Sequence, residues 1–472
     1  MSLKSFTTFI VLFIVNISLC LAVNVPIEMF DLSKYSQDAN YYIPKSQKGY
    51  EKPLLTRLQQ DKLLKKLISH SVGNDSPWSE SFYEEYLQQN SLKKWVTEQI
   101  NDINNSKLPD DEKIYKENFR LFTKLEYKSV TKNINFDDIN NLHKYNVNNR
   151  AIVTRTTMGY TVPYDRPLFL NFTLPGQGYP FSNINVSSLN IGEAIYIISV
   201  SKDKRWYLVL SPSFYAWVKS NTISRVSTSE IETWKNAFTK KSISIRRFET
   251  PIFNLDNKLI KNTYPGTMLP VLDTDKNYYK VLLPTQTKTG NLVFTDAKII
   301  KHDATKIPAL TTPKNFVKII KETQGYPYGW GNQYYYNDCS SELRAIYQAF
   351  GVWLPRNSKD QYKTYKSLKL DKYTSEQRSQ ILLTKARPFL DFIYIKGHVM
   401  LYIGKTLNPY NPKQVVPATY QQVWGLKDKD NTKRSVIGES VFLPLLEKYP
   451  EDPTLESELK KQVFRIVQIA QY

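Results

Sequence analysis

The chain has 472 residues, 41% of them hydrophobic, and a formal net charge of +20. This length suffices for about three domains, and the hydrophobic content together with 33 tyrosines excludes a largely disordered chain. The basic residues are scattered in short clusters without a nucleic-acid-binding motif, which argues against a nucleic-acid-binding protein.

Residues 1–22 have the pattern of a secretory signal peptide. Lys4 supplies a positive charge, an apolar run follows, and Ala22 ends the segment with a small residue. An uncleaved membrane anchor, which Asn16 disfavours by interrupting the run, and a lipid on Cys20 remain alternatives. No later segment reaches the roughly 20 apolar residues of a membrane span. We therefore expect an exported protein of the periplasm or cell envelope, with an anionic envelope surface as a partner for its positive charge.

Residues 23–145 are predicted to form an extended arm followed by a helical domain. Apolar residues recur at helical spacing between Leu55 and Ile68. Ser76 followed by Pro77 suits a helix start, because serine caps the first turn and proline fits within it. The apolar faces of these helices are expected to pack in the hydrophobic core.

Near residue 150 the hydrophobic period changes to two, which indicates short strands separated by turns. One set of strands lies within residues 146–228 and a second within residues 238–303. Each set has the size and strand number of a small β-barrel. The proline-bearing stretch 304–313 is predicted to be a linker.

Residues 314–472 mix both periods and are predicted to form an α+β domain. Cys339 begins a helical pattern in this block and is the one cysteine left once the leader is removed. His398 begins a strand pattern and is the one histidine in the block. A lone thiol cannot form a disulfide within the folded chain and makes a poor zinc site.

Cys339 and His398 are therefore candidates for a nucleophile and its base. A thiolate is stabilised by the N-terminus of a helix and by an adjacent imidazolium. Asp338 suits a helix N-cap, which places Cys339 in the first turn. A cysteine that only fills the core and a histidine without a catalytic role remain the alternatives.

Four motifs in this block occur in a fixed order: PYGWG at 327–331, DCSS at 338–341, LPRNSKDQ at 354–361 and GHVMLYIG at 397–404. They closely resemble the motifs of the NlpC-type papain-like cysteine peptidases of bacterial cell walls. The domain order resembles the multidomain γ-D-glutamyl-L-diamino-acid endopeptidases. The resemblance implies a helical N-terminal domain, two SH3-like β-barrels and a C-terminal α+β papain-like domain.

The resemblance also implies roles for individual residues. Cys339 would be the nucleophile and His398 the base. Gln421 would orient the imidazole, with Gln422 as the alternative if the loop is offset by one. Tyr328 would support the thiol and the oxyanion beside the backbone N–H of Cys339, and no metal or cofactor is needed.

Substrate binding is implied for a further set of residues around the motifs. Asn357 stands where the family branch has an acid, so the countercharge for a free amine is missing. The set comprises Asp338, Ser340, Arg356, Asn357 and Ser358, together with an aromatic residue of the first barrel, Tyr215 or alternatively Phe214.

These expectations describe an exported cysteine endopeptidase of peptidoglycan stem peptides. It would cleave the bond from D-Glu to a diamino acid, meso-diaminopimelate or lysine, through a thioester. One alternative is a papain-like amidase or crosslink peptidase that acts on another acyl group. The other is a protein that binds cell-wall peptide or glycan and uses the papain-like domain as a scaffold.

Overall fold

The computed structural model describes residues 25–470. The predicted leader at 1–22, with Cys20, lies outside the described residues. Between residues 25 and 470, no helix is both long enough and apolar enough to span a membrane.

The N-terminal segment consists mainly of short helices. Two of them, α2 and α5, begin with capping boxes built on Thr56 and Thr123, which satisfy free N–H groups of the first turn. The elements are β1 (Ile27–Met29), α1 (Ala39–Tyr42), α2 (Arg57–Val72), α3 (Glu80–Gln89), α4 (Leu92–Asn101), β2 (Tyr115–Lys116), α5 (Lys124–Asn133) and α6 (Phe136–Asn140).

Two seven-stranded sheets follow, each formed from one continuous stretch of the chain. The first contains β3 (Arg150–Val153), β4 (Thr157–Tyr160), β6 (Asn185–Leu189), β7 (Ala194–Val200), β8 (Trp206–Leu210), β9 (Tyr215–Lys219) and β10 (Ile223–Arg225), while β5 (Leu168–Phe169) pairs with β2. After α7 (Thr228–Lys240), the second contains β11 (Ser242–Ile245), β12 (Thr250–Phe253), β13 (Leu259–Thr263), β14 (Met268–Thr274), β15 (Tyr278–Gln286), β16 (Leu292–Ile300) and β17 (Ala304–Ile307).

The sheet at the position of the predicted second barrel extends farther along the chain than the sequence pattern predicts. Strand β17 pairs antiparallel with β11 from Ala304 to Ile307. Residues 304–307 therefore belong to the barrel, and the connection to the last domain is shorter than the predicted linker at 304–313.

The C-terminal domain packs helices against a central sheet. Its elements are α8 (Pro313–Ile320), α9 (Cys339–Ala349), α10 (Ser358–Thr364), β18 (Lys366–Lys369), α11 (Ser375–Lys385), β19 (Asp391–Ile395), β20 (His398–Asn408), β21 (Asn411–Lys427), β22 (Arg434–Pro444) and β23 (Phe464–Gln468). The sheet order is β1-β22-β21-β20-β19-β23-β18, with β1 of the N-terminal arm in parallel with β22. Helix α9 packs against β20 and β21, so its N-terminus lies beside the start of β20.

The N-terminal helices do not share one core of their own. Leu63 of α2 packs into the same cluster as Phe350 of the C-terminal domain. Val96 of α4 instead packs with Trp217 of the first barrel. Val72, at the end of α2, packs with Val281 of the second seven-stranded sheet. The helical segment predicted at 23–145 thus shares its buried residues with the cores of its neighbours.

Candidate active site

Cys339 is the first residue of α9 and is 8% exposed. Asp338 caps this helix: its carboxylate accepts a hydrogen bond from the backbone N–H of Ser341 at 3.0 Å, and its own N–H donates to the Ser341 hydroxyl at 2.9 Å. The partial positive charge of a helix N-terminus favours an anionic group in the first turn. The sulfur of Cys339 is therefore placed where a thiolate is stabilised.

The imidazole of His398 lies between the thiol and the side chain of Gln421. Its Nε2 is 2.6 Å from the Gln421 Oε1. Because an amide oxygen only accepts hydrogen bonds, Nε2 carries a proton, and Nδ1 is the nitrogen that hydrogen-bonds to Cys339. Gln422, the alternative in the sequence, instead donates to the carbonyl oxygens of Tyr326 and Pro327 at 3.0 and 3.2 Å.

His398 is held in its charged form despite its burial. Burial alone would lower the pKa of His398. The electrostatic interaction with Cys339, the hydrogen bond between the two side chains and the Glu458 carboxylate together raise this pKa to about 9. The ordinary pKa of histidine is near 6.5. At neutral pH the imidazole is therefore a charged proton donor beside the sulfur.

Glu458 is a member of this site that the sequence did not indicate. It is 3% exposed, and its Oε1 is 3.8 Å from the Nε2 of His398. Its Oε2 accepts a hydrogen bond from the Gln421 Nε2 at 3.2 Å, while the second Gln421 N–H donates to the Thr419 hydroxyl at 3.1 Å. Since both amide protons are engaged, the Gln421 oxygen is fixed toward His398.

Two matches to protein families bear on this arrangement. Residues 325–424 match the NlpC/P60 family, and residues 167–219, within the first barrel, match an SH3 domain of the SH3b1 type. The chain carries an NlpC/P60 cysteine peptidase domain. Family members are peptidoglycan hydrolases, and the SH3-type domain agrees with a cell-wall substrate. No curated protein matches the chain.

Solved structures similar to this chain include two proteins of the NlpC/P60 family. An NlpC/P60 endopeptidase from Photobacterium damselae subsp. piscicida is 24% identical with a TM-score of 0.77, and the match covers 95% of this chain and 99% of that one. An NlpC/P60 family protein from Bacillus cereus is 17% identical with a TM-score of 0.43, covering 65% of this chain and 98% of its own. The first likeness shows that the multidomain fold is shared over nearly the whole length.

The expectation that Asp338, Ser340 and Arg356 contact the substrate needs correction. Arg356, 3% exposed, donates to both carboxylate oxygens of Asp338 at 3.0 and 2.6 Å and to the Ser340 hydroxyl at 2.7 Å. Its Nε also donates to the hydroxyl of Ser187 in the first barrel at 2.7 Å. These side chains are buried and engaged with one another, so they hold the start of α9 from beneath the cleft.

Tyr215, the predicted aromatic contribution of the first barrel, also lies elsewhere. It is 3% exposed, packs edge-on against Tyr86, and donates its hydroxyl to the Asn90 carbonyl at 2.7 Å. Phe214 is buried in the barrel core. Both residues are therefore committed to packing. The alternating pattern of the sequence predicts that these two side chains are buried, but it does not predict which element packs against them.

The barrel contributes a different aromatic residue, Phe181, to the NlpC/P60 domain. Its ring lies 6.2 Å from that of Tyr328, 5.5 Å from Trp330 and 5.8 Å from Trp424, measured between centroids. Tyr328 is 7% exposed, and burial, followed by the Cys339 charge, raises its pKa well above the ordinary value. Its hydroxyl therefore stays neutral and able to donate beside the sulfur.

Asn357 and Ser358 remain candidates for substrate contact. Asn357 is exposed and does not cap α10 with its side chain, while Ser358 is partly exposed.

In residues 25–470 there is no group of three or more histidine, cysteine, aspartate or glutamate side chains arranged to hold a metal ion.

Glu458→Gln is expected to lower kcat/KM about tenfold at neutral pH and to move the alkaline limb of the pH profile down by about one unit. The amide keeps the shape of the side chain but removes the negative charge that stabilises the His398 imidazolium. Glu456→Gln is the matched control, because Glu456 pairs with Lys427 and Lys461 and has no contact with the imidazole in the structure. An unchanged alkaline limb in a folded Glu458→Gln protein would exclude this electrostatic role.

Proposed function

We propose that the protein hydrolyses the bond between the γ-carboxyl of D-Glu and the diamino acid of peptidoglycan stem peptides, outside the cytoplasm. The observation that carries the proposal is the position of the His398 imidazole between Cys339, at the start of α9, and Gln421 of β21. Export is supported by the leader pattern at 1–22. The match of residues 325–424 to a family of cell-wall peptidases supports the substrate class.

In the first half of the proposed reaction, the Cys339 thiolate attacks the γ-carbonyl carbon. The carbonyl oxygen becomes an oxyanion, for which the backbone N–H of Cys339 and the Tyr328 hydroxyl are the nearby donors. The His398 imidazolium gives its Nδ1 proton to the departing amine of the diamino acid. The C–N bond breaks, and a thioester between the substrate and Cys339 remains.

In the second half, the neutral imidazole removes a proton from a water molecule, which attacks the thioester carbon. The C–S bond then breaks, leaving a free γ-carboxylate, a thiolate and an imidazolium. Gln421 supports both halves, because it accepts a hydrogen bond from the Nε2 N–H and keeps Nδ1 toward the reacting atoms. Asn357, lacking a charge, offers a hydrogen bond but no countercharge to a free amine of L-Ala.

The test is mass spectrometry of L-Ala-γ-D-Glu-meso-diaminopimelate incubated with the purified chain lacking residues 1–22. The peptide is supplied with its amine free and, separately, acetylated. We expect release of the L-Ala-D-Glu portion from both, because Asn357 provides no charge that selects the free amine. The lysine-containing peptide, run in parallel, determines the preferred diamino acid.

Cys339→Ala, purified in the same way, controls for a contaminating peptidase and should release no product. Intact peptides after incubation with a folded protein, whose thiol still reacts with a titrating reagent, would overturn the proposed bond specificity. An amidase or a crosslink peptidase would then be tested with the corresponding substrates.

A further inference from the structure

An aromatic groove opens on the surface beside the catalytic cleft. Its cavity volume is about 170 Å³. The rings come from three parts of the chain: the N-terminal segment, the first barrel and the loop that precedes α9. They belong to Tyr115, Phe119, Phe169, Phe172, Tyr179 and Tyr334. We call this set the aromatic groove.

Three of these rings are more exposed than the packing of a core allows. Phe119 is 64% exposed, Tyr179 59% and Tyr334 54%. Phe119 and Tyr334 also adopt left-handed backbone, with φ of 61° and 55°, a conformation that bulky side chains rarely take. An exposed apolar cluster held on unfavourable backbone indicates a binding surface.

The groove is continuous with the active site through a line of rings. Tyr328, beside the thiol, lies 6.2 Å from Trp424, and Trp424 lies 6.4 Å from Tyr179 at the edge of the groove. At the far side, Phe172 and Phe119 are 4.6 Å apart. Two ring-to-ring steps thus connect the cleft with the groove, a reach comparable to about three residues of extended chain, roughly 10 Å.

We propose that the aromatic groove binds the amino sugar to which the stem peptide is attached. This inference rests on the proposed function, and it adds that the substrate is a peptide still carrying its saccharide. In peptidoglycan, L-Ala and a lactyl group separate D-Glu from the sugar ring. The separation of groove and cleft is therefore of the right order for one molecule to occupy both.

The chemistry of the groove suits a sugar better than an apolar peptide. Its large apolar side chains are all aromatic, and none is aliphatic. A pyranose ring has one face of C–H groups, whose partial positive charge is attracted to the electron-rich face of an aromatic ring. Glu117 also lines the groove, beside tyrosine hydroxyls, as a hydrogen-bond partner for sugar hydroxyls, while Lys116 is paired with Glu126 at 2.9 Å.

The experiment compares two substrates that differ in the sugar. One is the disaccharide of N-acetylglucosamine and N-acetylmuramic acid bearing L-Ala-γ-D-Glu-meso-diaminopimelate, and the other is the same peptide acetylated on L-Ala. Both have a blocked amine, so the free-amine question does not enter. We expect the wild type to show a KM about tenfold lower for the disaccharide peptide, the equivalent of about 1.4 kcal/mol.

The variant Phe119→Asn/Tyr334→Asn removes two rings, and asparagine is chosen because it tolerates left-handed backbone. It is expected to lose the tenfold difference in KM while cleaving the acetylated peptide as the wild type does. Tyr373→Asn is the matched control, since Tyr373 is 45% exposed but lies outside the groove. It should retain the difference.

The outcomes separate the inference from the function on which it rests. If neither substrate is cut, the proposed function fails and the inference falls with it. If the wild type cuts both with equal KM, or the double variant keeps the preference, the groove does not bind the sugar. A KM raised for both substrates in the double variant would instead assign the groove to the peptide, which also overturns the inference.

Discussion

Replacing Cys339 by alanine is expected to reduce hydrolysis by a factor of at least about 10⁴, because no other group in the site can form the covalent intermediate. The same change should lower the pKa of His398 from about 9 toward or below 6.5, since the Cys339 charge is the main influence that raises it. NMR titration of the imidazole in both proteins measures this shift. His398→Ala identifies the resonance.

The sign of the pH dependence follows from the raised pKa. The imidazolium persists below about pH 9 and is lost above it, so kcat/KM of the wild type should fall as the pH rises through that value. The raised pKa also means that His398 stabilises the folded state. This stabilisation is complete at pH values below the pKa of the unfolded protein, near 6.5, and is lost as the pH rises through the pKa of the folded protein, about 9. A His398 pKa that stays near 9 in Cys339→Ala would contradict the ion pair.

Arg356→Met is expected to lower the free energy of unfolding by about 3–5 kcal/mol, because it leaves the Asp338 carboxylate buried without its charge partner. The ion pair joins the two side chains at 2.6 Å, and both are almost fully buried. Urea unfolding followed by tryptophan fluorescence measures the change. It should also reduce activity, since Asp338 caps the helix that carries the thiol.

The double variant Asp338→Asn/Arg356→Met provides the control. Asparagine keeps the capping hydrogen bond but carries no charge, so part of the lost stability should return. Arg356 also holds the pKa of Asp338 below its ordinary value against the effect of burial. Stability from the ionised carboxylate is thus present above pH 3.8 and is lost as the pH falls through the lowered pKa. A single variant as stable as the wild type would exclude this account.

The positions of the candidate catalytic residues in the fold could be predicted from sequence because their signals are local. Asp338 before Cys339 indicates a helix start, and His398 opens an alternating run that forms β20. The change from helical to strand period near residue 150 likewise predicted the first barrel, part of which matches an SH3 domain. In each case the residues that carry the signal are neighbours in the chain.

The remaining features depend on residues that are distant in the chain. Glu458 reaches Gln421 across 37 positions, and nothing in its own surroundings marks it as part of the site. The surroundings of Tyr215 and Phe181 also depend on distant parts of the chain. The strand period predicts that Tyr215 is buried, but the packing of the N-terminal helices determines which residues cover it. Phe181 lies in a loop without periodicity and reaches the cleft only because the barrel is placed there.

The contact between Ser187 and Arg356 has a consequence for how such proteins are recombined. The first barrel supplies a hydroxyl beneath the thiol-bearing helix, and the same hydroxyl donates to Asn332 in the preceding loop at 3.1 Å. A truncated protein that contains only residues 325–424, the part that matches the family, would lose the hydrogen bonds made by Ser187. A segment moved into another protein must therefore be longer than the part that matches the family. It must contain both the first barrel and the peptidase domain.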